Sequence, residues 1–155
     1  MKCQIIVFGK TSNKNSKKLE EEYIKRISPF SSVEYIVLNE EKMAKTISEE
    51  HIKEKEADRF FTSYSKNNFL IACHVKGKSL TSPQFAEQIE KISLQFSGVT
   101  FVIGGSLGLS NTILEKAHLQ LSFSAMTFPH DLFRIFLFEQ IYRAFMISNN
   151  RKYHR

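Results

Sequence analysis

The sequence contains only two cysteines, three prolines and six glycines. Cys3 and Cys73 each sit inside a short apolar run. Two such residues exclude a disulfide-stapled secreted scaffold, and without matching ligand spacing they make no zinc site. They are expected to be reduced, buried thiols. The five histidines, His51, His74, His118, His130 and His154, include no pair three or four residues apart, so no helical metal pair exists and no metal is expected. The full G-x-x-x-x-G-K-[ST] phosphate loop does not occur, and no G-K-[ST] follows the glycines at 104, 105 and 108. Long apolar runs are missing too. Cys3 to Phe8 is too short for a signal peptide, and Leu132 to Ile147 is broken by Arg134, Glu139 and Arg143, so neither is a bilayer span. There is no internal repeat, low-complexity stretch or linker. The expectation is a soluble cytoplasmic protein without a membrane partner.

What is present suits one globular domain over residues 1–155, with 42% hydrophobic and 25% charged residues, 14 Phe and 5 Tyr. A chain of this length buries roughly 70% of its unfolded surface and needs no staple. The net charge is +6. Between residues 101 and 150, Lys116, Arg134 and Arg143 balance Glu115, Asp131 and Glu139. The excess therefore lies in the first hundred residues and in the tail Arg151-Lys152-Tyr153-His154-Arg155. Solubility accounts for such a balance, and so does a polyanionic partner.

Apolar patterning alternates between two periods along the chain. Strands are predicted at Cys3–Phe8, Val33–Leu38, Phe69–Val75, Val99–Ile103 and His118–Phe123. Helices are predicted from a cap at Asn15 or Ser16 to about Ser28, from Ser48 to about Tyr64, from a Ser82 cap with Pro83 behind it to about Phe96, from Ser110 to about Ala117, and from Phe128-Pro129 to about Ser148. Gly77 is expected to end the third strand and Gly98 to follow a helix as its C′ residue. Strictly alternating elements imply an α/β fold, with a mostly parallel sheet of five to six strands covered by helices on both faces. The last helix is apolar nearly all round, which a partner subunit or a central core position would explain.

Ligands of parallel sheets bind beyond the carboxyl ends of the strands. Three such ends are informative here: Cys73-His74-Val75-Lys76-Gly77-Lys78, Ile103-Gly104-Gly105-Ser106-Leu107-Gly108, and Leu121 through Pro129. Glycines at 104 and 105 let a ligand approach the backbone, but a tight strand-to-helix turn explains them equally well. The third end offers N–H groups for the polar edge of an adenine, with Phe123 and Met126 over its ring face. An ordinary helix start explains it as well. In the tail, Tyr153 and His154 between Arg151, Lys152 and Arg155 can stack on an unpaired base and bind phosphate.

Laid out in order, these residues resemble the small SPOUT-class methyltransferases that act on N3 of a pseudouridine in large-subunit (23S) ribosomal RNA. The resemblance runs over the whole chain. It is carried by Gly9-Lys10, Gly77-Lys78, Phe101 through Leu109, Leu121 through His130, Glu139 through Phe145, and the final Tyr153-His154-Arg155. It implies a C-terminal trefoil knot, which no periodicity could reveal. S-adenosylmethionine would be held in that knot by Cys73, Gly104, Gly105, Phe123, Ser124, Ala125, Met126, Thr127 and Phe128. A homodimer is also implied, with the dimer forming the site for large-subunit rRNA, and the assembled ribosome is the expected substrate. His154 is then the candidate base for the pseudouridine N3 proton, Arg143 or Arg155 its electrostatic partner, and Tyr153 a stacking group. Lys14, Lys17, Lys18, Lys25 and Arg26 are candidate phosphate contacts. Relatives usually carry an acid where this chain has His74, and a leucine is common at Cys73. The readings set beside this one are a non-catalytic RNA-binding module of the same fold and a SPOUT methyltransferase acting on another RNA nucleoside.

Overall fold

The computed structural model describes residues 1–149. Five strands and five helices alternate: β1 (Lys2–Phe8), α1 (Lys14–Ile27), β2 (Ser32–Leu38), α2 (Glu49–Ser63), β3 (Asn68–Ser79), α3 (Ser82–Gln95), β4 (Gly98–Ile103), α4 (Asn111–Lys116), β5 (Leu119–Ser122) and α5 (His130–Ser148). The strands form one sheet in the order β2-β1-β4-β3-β5, and every pairing is parallel. The α/β expectation therefore holds, with five strands.

Side-chain alternation along the strands divides the core into two layers. Cys3, Ile5, Val7, Ile71, Val99 and Phe101 face one side, where they meet Ile27 of α1, Phe85 and Ile89 of α3, and Leu137, Phe138 and Ile141 of α5. Ile6, Phe8, Leu70, Ala72 and Val102 face the other side, against Ala57 and Phe60 of α2 and Ile113 of α4. The central strands are buried on both faces, which is why they read as continuous apolar runs. The last helix packs between α1 and α3 in the first layer, so the sheet and two helices cover much of its apolar circumference.

Several boundaries differ from the sequence expectation. Helix α1 starts at Lys14, because Asn13 Oδ1 accepts the Asn15 and Ser16 N–H groups. Thr81, not Ser82, caps α3; its hydroxyl accepts from Gln84 N while the Gln84 side chain accepts from Thr81 N. Gly98 is not a helix C′ residue but the first residue of β4. A Cβ there would stand 2.5 Å from Lys2 O and 2.7 Å from Asn68 Oδ1, so packing of its neighbours selects glycine. Strand β3 runs on past Val75 to Ser79. Its register against β5 slips, with both Cys73 and Lys78 opposite Leu121, so residues 74–77 loop out of the ladder. Gly77 lies in that bulge, where a Cβ would meet the Gln120 carbonyl carbon at 2.6 Å. His118 falls just outside β5, yet its Nδ1 accepts the Leu70 N–H (2.9 Å) and its own N–H donates to Leu70 O (2.9 Å). Its ring also stacks on Phe69, so its role is structural.

Candidate functional site

The carboxyl ends of β3, β4 and β5 converge on one cavity of about 370 Å³. Eight of the nine positions singled out for a cofactor line it: Cys73, Gly104, Gly105, Phe123, Ser124, Met126, Thr127 and Phe128. Ala125 belongs to the same loop but is exposed and does not line the cavity. A cavity of this volume falls within the range of small-molecule sites.

Each wall has a local cause. After β4 the chain folds back on itself: Gly108 N donates to Gly105 O (2.9 Å), and Gly108 adopts φ +81°. A Cβ on Gly104 would lie 2.6 Å from the Gly108 carbonyl carbon, so this turn closes only over glycine. Glu40, just beyond β2, anchors the turn by accepting from Ser106 N (3.0 Å) and Ser106 Oγ (3.2 Å). After β5, Ser122 Oγ donates to Ser124 O (3.1 Å), and Met126 N donates to Ser124 Oγ (3.0 Å). That bend leaves Met126 exposed at the rim. Behind the site, buried Arg134 of α5 donates to Phe8 O (2.7 Å), Gly9 O (2.9 Å) and Thr11 Oγ1 (3.0 Å). It thereby fixes the last helix against the end of β1.

Among the described residues, no Asp, Glu, Lys or Arg lines the cavity. The lining groups that titrate are Cys73, His74 and His130. Burial pushes the Cys73 thiol up to about 12, so it is neutral and unreactive at physiological pH. Burial, then the charges of Lys76 and Lys53, push the His74 imidazole below its usual value. His74 Nδ1 is buried without a hydrogen-bond partner.

Sequence reasoning placed three strand ends but missed several wall residues. Ser106, Leu107 and Gly108 lie inside the second of those ends but were not assigned to a cofactor, while Leu109 completes the turn and His130 and Phe133 contribute the first turn of α5. The signal of the last three was position alone, close to the segments already chosen. Arg143 is not at the cavity of its own chain. It lies ten residues beyond Phe133, about 15 Å along the helix, where it pairs with Glu139 (2.6 Å). Tyr153, His154 and Arg155 lie outside the described residues. Lys14, Lys17 and Lys18 are exposed on the first turns of α1. Asn13 N donates to Asp131 Oδ2 (3.4 Å), which sets that end of α1 beside the start of α5. A second cavity of about 300 Å³ shares Leu121, Phe123 and Phe128 but extends to Leu80, Phe136, Glu139 and Gln140. Among the described residues, no cluster of His, Cys, Asp and Glu could hold a metal, and no helix is long and apolar enough to cross a membrane.

The chain is similar to several known proteins. The family model described as "Predicted SPOUT methyltransferase" matches residues 1–154. A Streptococcus uberis protein named "Ribosomal RNA large subunit methyltransferase H" is 44% identical, with all of both chains covered. A Clostridium botulinum protein of the same name is 45% identical, again over all of both chains. A Haemophilus influenzae structure titled as "a probable methylase family protein" aligns with 99% of this chain and 70% of its own, at a TM-score of 0.54 and 16% identity. That last likeness concerns the fold.

Proposed function

Because the chain belongs to the SPOUT methyltransferase family, we propose that it transfers a methyl group from S-adenosylmethionine to large-subunit ribosomal RNA in the cytoplasm, at N3 of a pseudouridine. The observation that carries this reading is the convergence of three separate strand ends on one cavity. Its walls match what the donor requires. Gly104 and Gly105 present bare backbone, and Phe123 and Met126 offer apolar cover for an adenine face. Among the described residues no Lys or Arg lines the cavity, which spares a ligand that carries cationic groups from repulsion by them. The knot that the family implies would cross these same loops.

When bound, S-adenosylmethionine supplies a methyl group already activated on a sulfonium. The chain's own task is then alignment and exclusion of water, which can contribute roughly 7–11 kcal/mol in favourable cases. The target nitrogen must also lose its proton. His154 is our candidate base, Arg143 or Arg155 the cation that stabilises the resulting anion, and Tyr153 the stacking partner. Arg143 stands well along α5 from its own cavity, so this assignment requires a homodimer in which these groups act over the partner's cofactor. The exposed Leu132 and Phe136 of α5 supply an apolar face for that dimer. Exposed Lys14, Lys17 and Lys18, close to the start of α5, suit contacts to RNA phosphates.

The test is transfer of labelled methyl from S-adenosylmethionine to ribosomes that lack the modification, read by nucleoside mass analysis. N3-methylpseudouridine in the large-subunit RNA is expected. Label on another nucleoside would replace the target, and cofactor binding without any transfer would favour a non-catalytic RNA-binding module. His154→Ala should abolish turnover; full activity in that variant would overturn the base assignment.

A further inference from the structure

The second cavity, of about 300 Å³, adjoins the first and shares Leu121, Phe123 and Phe128 with it. Its other walls come from the start of α3, the residues just before it, and the middle of α5. Four phenylalanines line it, Phe85, Phe123, Phe128 and Phe136, the last two edge-on with ring centres 5.4 Å apart. Gln140 contributes a polar group that is oriented but not used up. Ser82 Oγ donates to Gln140 Oε1 (2.7 Å), which fixes the acceptor end of the amide. Gln140 Nε2 has no partner among the described residues and, unlike His74 Nδ1, it is open to solvent. Glu139 beside it is engaged by Arg143 Nε (2.9 Å) and Nη2 (2.6 Å). The space therefore combines flat apolar walls with a held amide N–H, next to the cavity assigned to the cofactor.

We infer that the second cavity receives the target base, turned out of the RNA, and that Gln140 donates from Nε2 to one of the two carbonyl oxygens that flank N3. The inference rests on the reading of cofactor and target above and deepens it. Enzymes that modify a base seat it in a pocket, cover it with apolar or aromatic side chains and read its edge by hydrogen bonds. A pyrimidine-2,4-dione has a carbonyl on each side of N3, and an amide N–H matches either one. A 4-aminopyrimidine offers an NH2 group at one of these places and is disfavoured there. Shared walls set a base in this cavity beside a cofactor in the first. When the N3 proton passes to the general base, negative charge spreads onto both oxygens. N3 then bonds the methyl carbon as the carbon–sulfur electron pair returns to sulfur. An N–H already aimed at one oxygen gains strength as that charge develops, so Gln140 both selects the base and lowers the barrier. Phe136 is a wall of this cavity and part of the face proposed to meet a second copy. A base seated here lies at the edge of that face, where the tail of the other chain would act.

Two substitutions in the full-length protein test this on ribosomes that lack the modification, with S-adenosylmethionine saturating. Gln140→Met keeps the length of the side chain and removes its N–H. Gln140→Glu keeps an acceptor for Ser82 and puts a charged oxygen where the N–H was. Single-turnover methyl transfer should fall about 10- to 100-fold in the first at near-neutral pH, and further in the second. Tm and the calorimetric affinity for S-adenosylmethionine should stay at the wild-type values in both. Without the N–H the N3 proton is harder to remove, so the wild-type rate levels off at lower pH than the rate of Gln140→Met. The deficit of that variant should therefore narrow toward about pH 9, whereas a residue that only shaped the fold would cost the same factor throughout. Wild-type rates in both variants, or a deficit that pH does not change, would overturn the inference while leaving the cofactor reading intact. Weaker binding of S-adenosylmethionine by Gln140→Met would give the second cavity to the cofactor and overturn the inference as well. Absence of transfer by the wild type would overturn the reading of the reaction, and the inference with it.

Discussion

Glu20 is a carboxylate withdrawn from water on the inner face of α1. Its Oε1 accepts from Thr11 Oγ1 (2.6 Å), and Arg134 acts on it as well, yet burial outweighs both and holds the carboxyl above the usual range. The folded protein therefore takes this proton more readily than the unfolded chain. The sign follows: stability falls as the pH rises through the raised titration, and at neutral pH the buried charge opposes folding. Glu20→Gln, which can still accept from Thr11, should raise Tm at pH 7.5 by about 2 °C. That advantage should shrink toward pH 5, as differential scanning calorimetry would show; a lower Tm at pH 7.5 would contradict the assignment. Glu40 makes a different case. It is exposed, and its value lies in two bonds to Ser106 that hold the glycine turn. Glu40→Ala should weaken S-adenosylmethionine binding about three- to ten-fold with turnover at saturating donor unchanged, and Glu40→Gln should recover most of the loss. A fall in the saturated rate alone would show that Glu40 does something other than position the turn.

Capping shows how the elements are set. The reciprocal Thr81–Gln84 pair satisfies two N–H groups at the start of α3. Thr81→Ala should cost about 1 kcal/mol, a drop in Tm of about 2–4 °C, with donor affinity unchanged because α3 does not line the cavity. Thr81→Ser should restore the Tm, which thermal melts of the three proteins would establish. The cap also marks where sequence legibility ends. Element type was readable throughout, since buried parallel strands and half-buried helices leave distinct periods. Boundaries failed where a neighbour decides them. Gly98 looks like a helix terminator until β4 is paired with both β1 and β3, when the closeness of Lys2 and Asn68 explains the missing side chain. The bulge in β3 depends on where β5 passes, which no local pattern records. Buried polar groups were equally hidden. Gln4 sits in an apolar run, yet it donates to Glu34 and the Ser63 carbonyl and accepts from Thr100, partners at separations of 30, 59 and 96 residues. The candidate cavity was legible because its walls follow strand ends, and strand ends are local; the orphaned Nδ1 of His74 was not.

At the scale of the molecule, the outward face of α5 is the feature one chain does not use up. Phe136 is 39% exposed and packs edge-on against Phe128 of the loop after β5. If this face joins two copies, Phe136→Asp should turn a dimer into a monomer in sedimentation at micromolar concentration. Methyl transfer should fall with the dimer, since the proposed cation and base come from the other chain. A variant that stayed dimeric would place the interface elsewhere.

The cavity has one more consequence. Its walls come from β3, β4, β5 and α5, and no single hairpin or helix pair contains even a partial version of it. If the cavity holds the methyl donor as proposed, only the completed fold binds it, so each bound molecule withdraws a chain from the unfolding equilibrium. At donor concentrations a thousand times the dissociation constant, that amounts to about 4 kcal/mol of added stability. Proteases in a cell act on the transiently opened fraction. The lifetime of this protein should therefore rise and fall with the supply of methyl donor, making its abundance a readout of one-carbon metabolism even where no RNA is being modified.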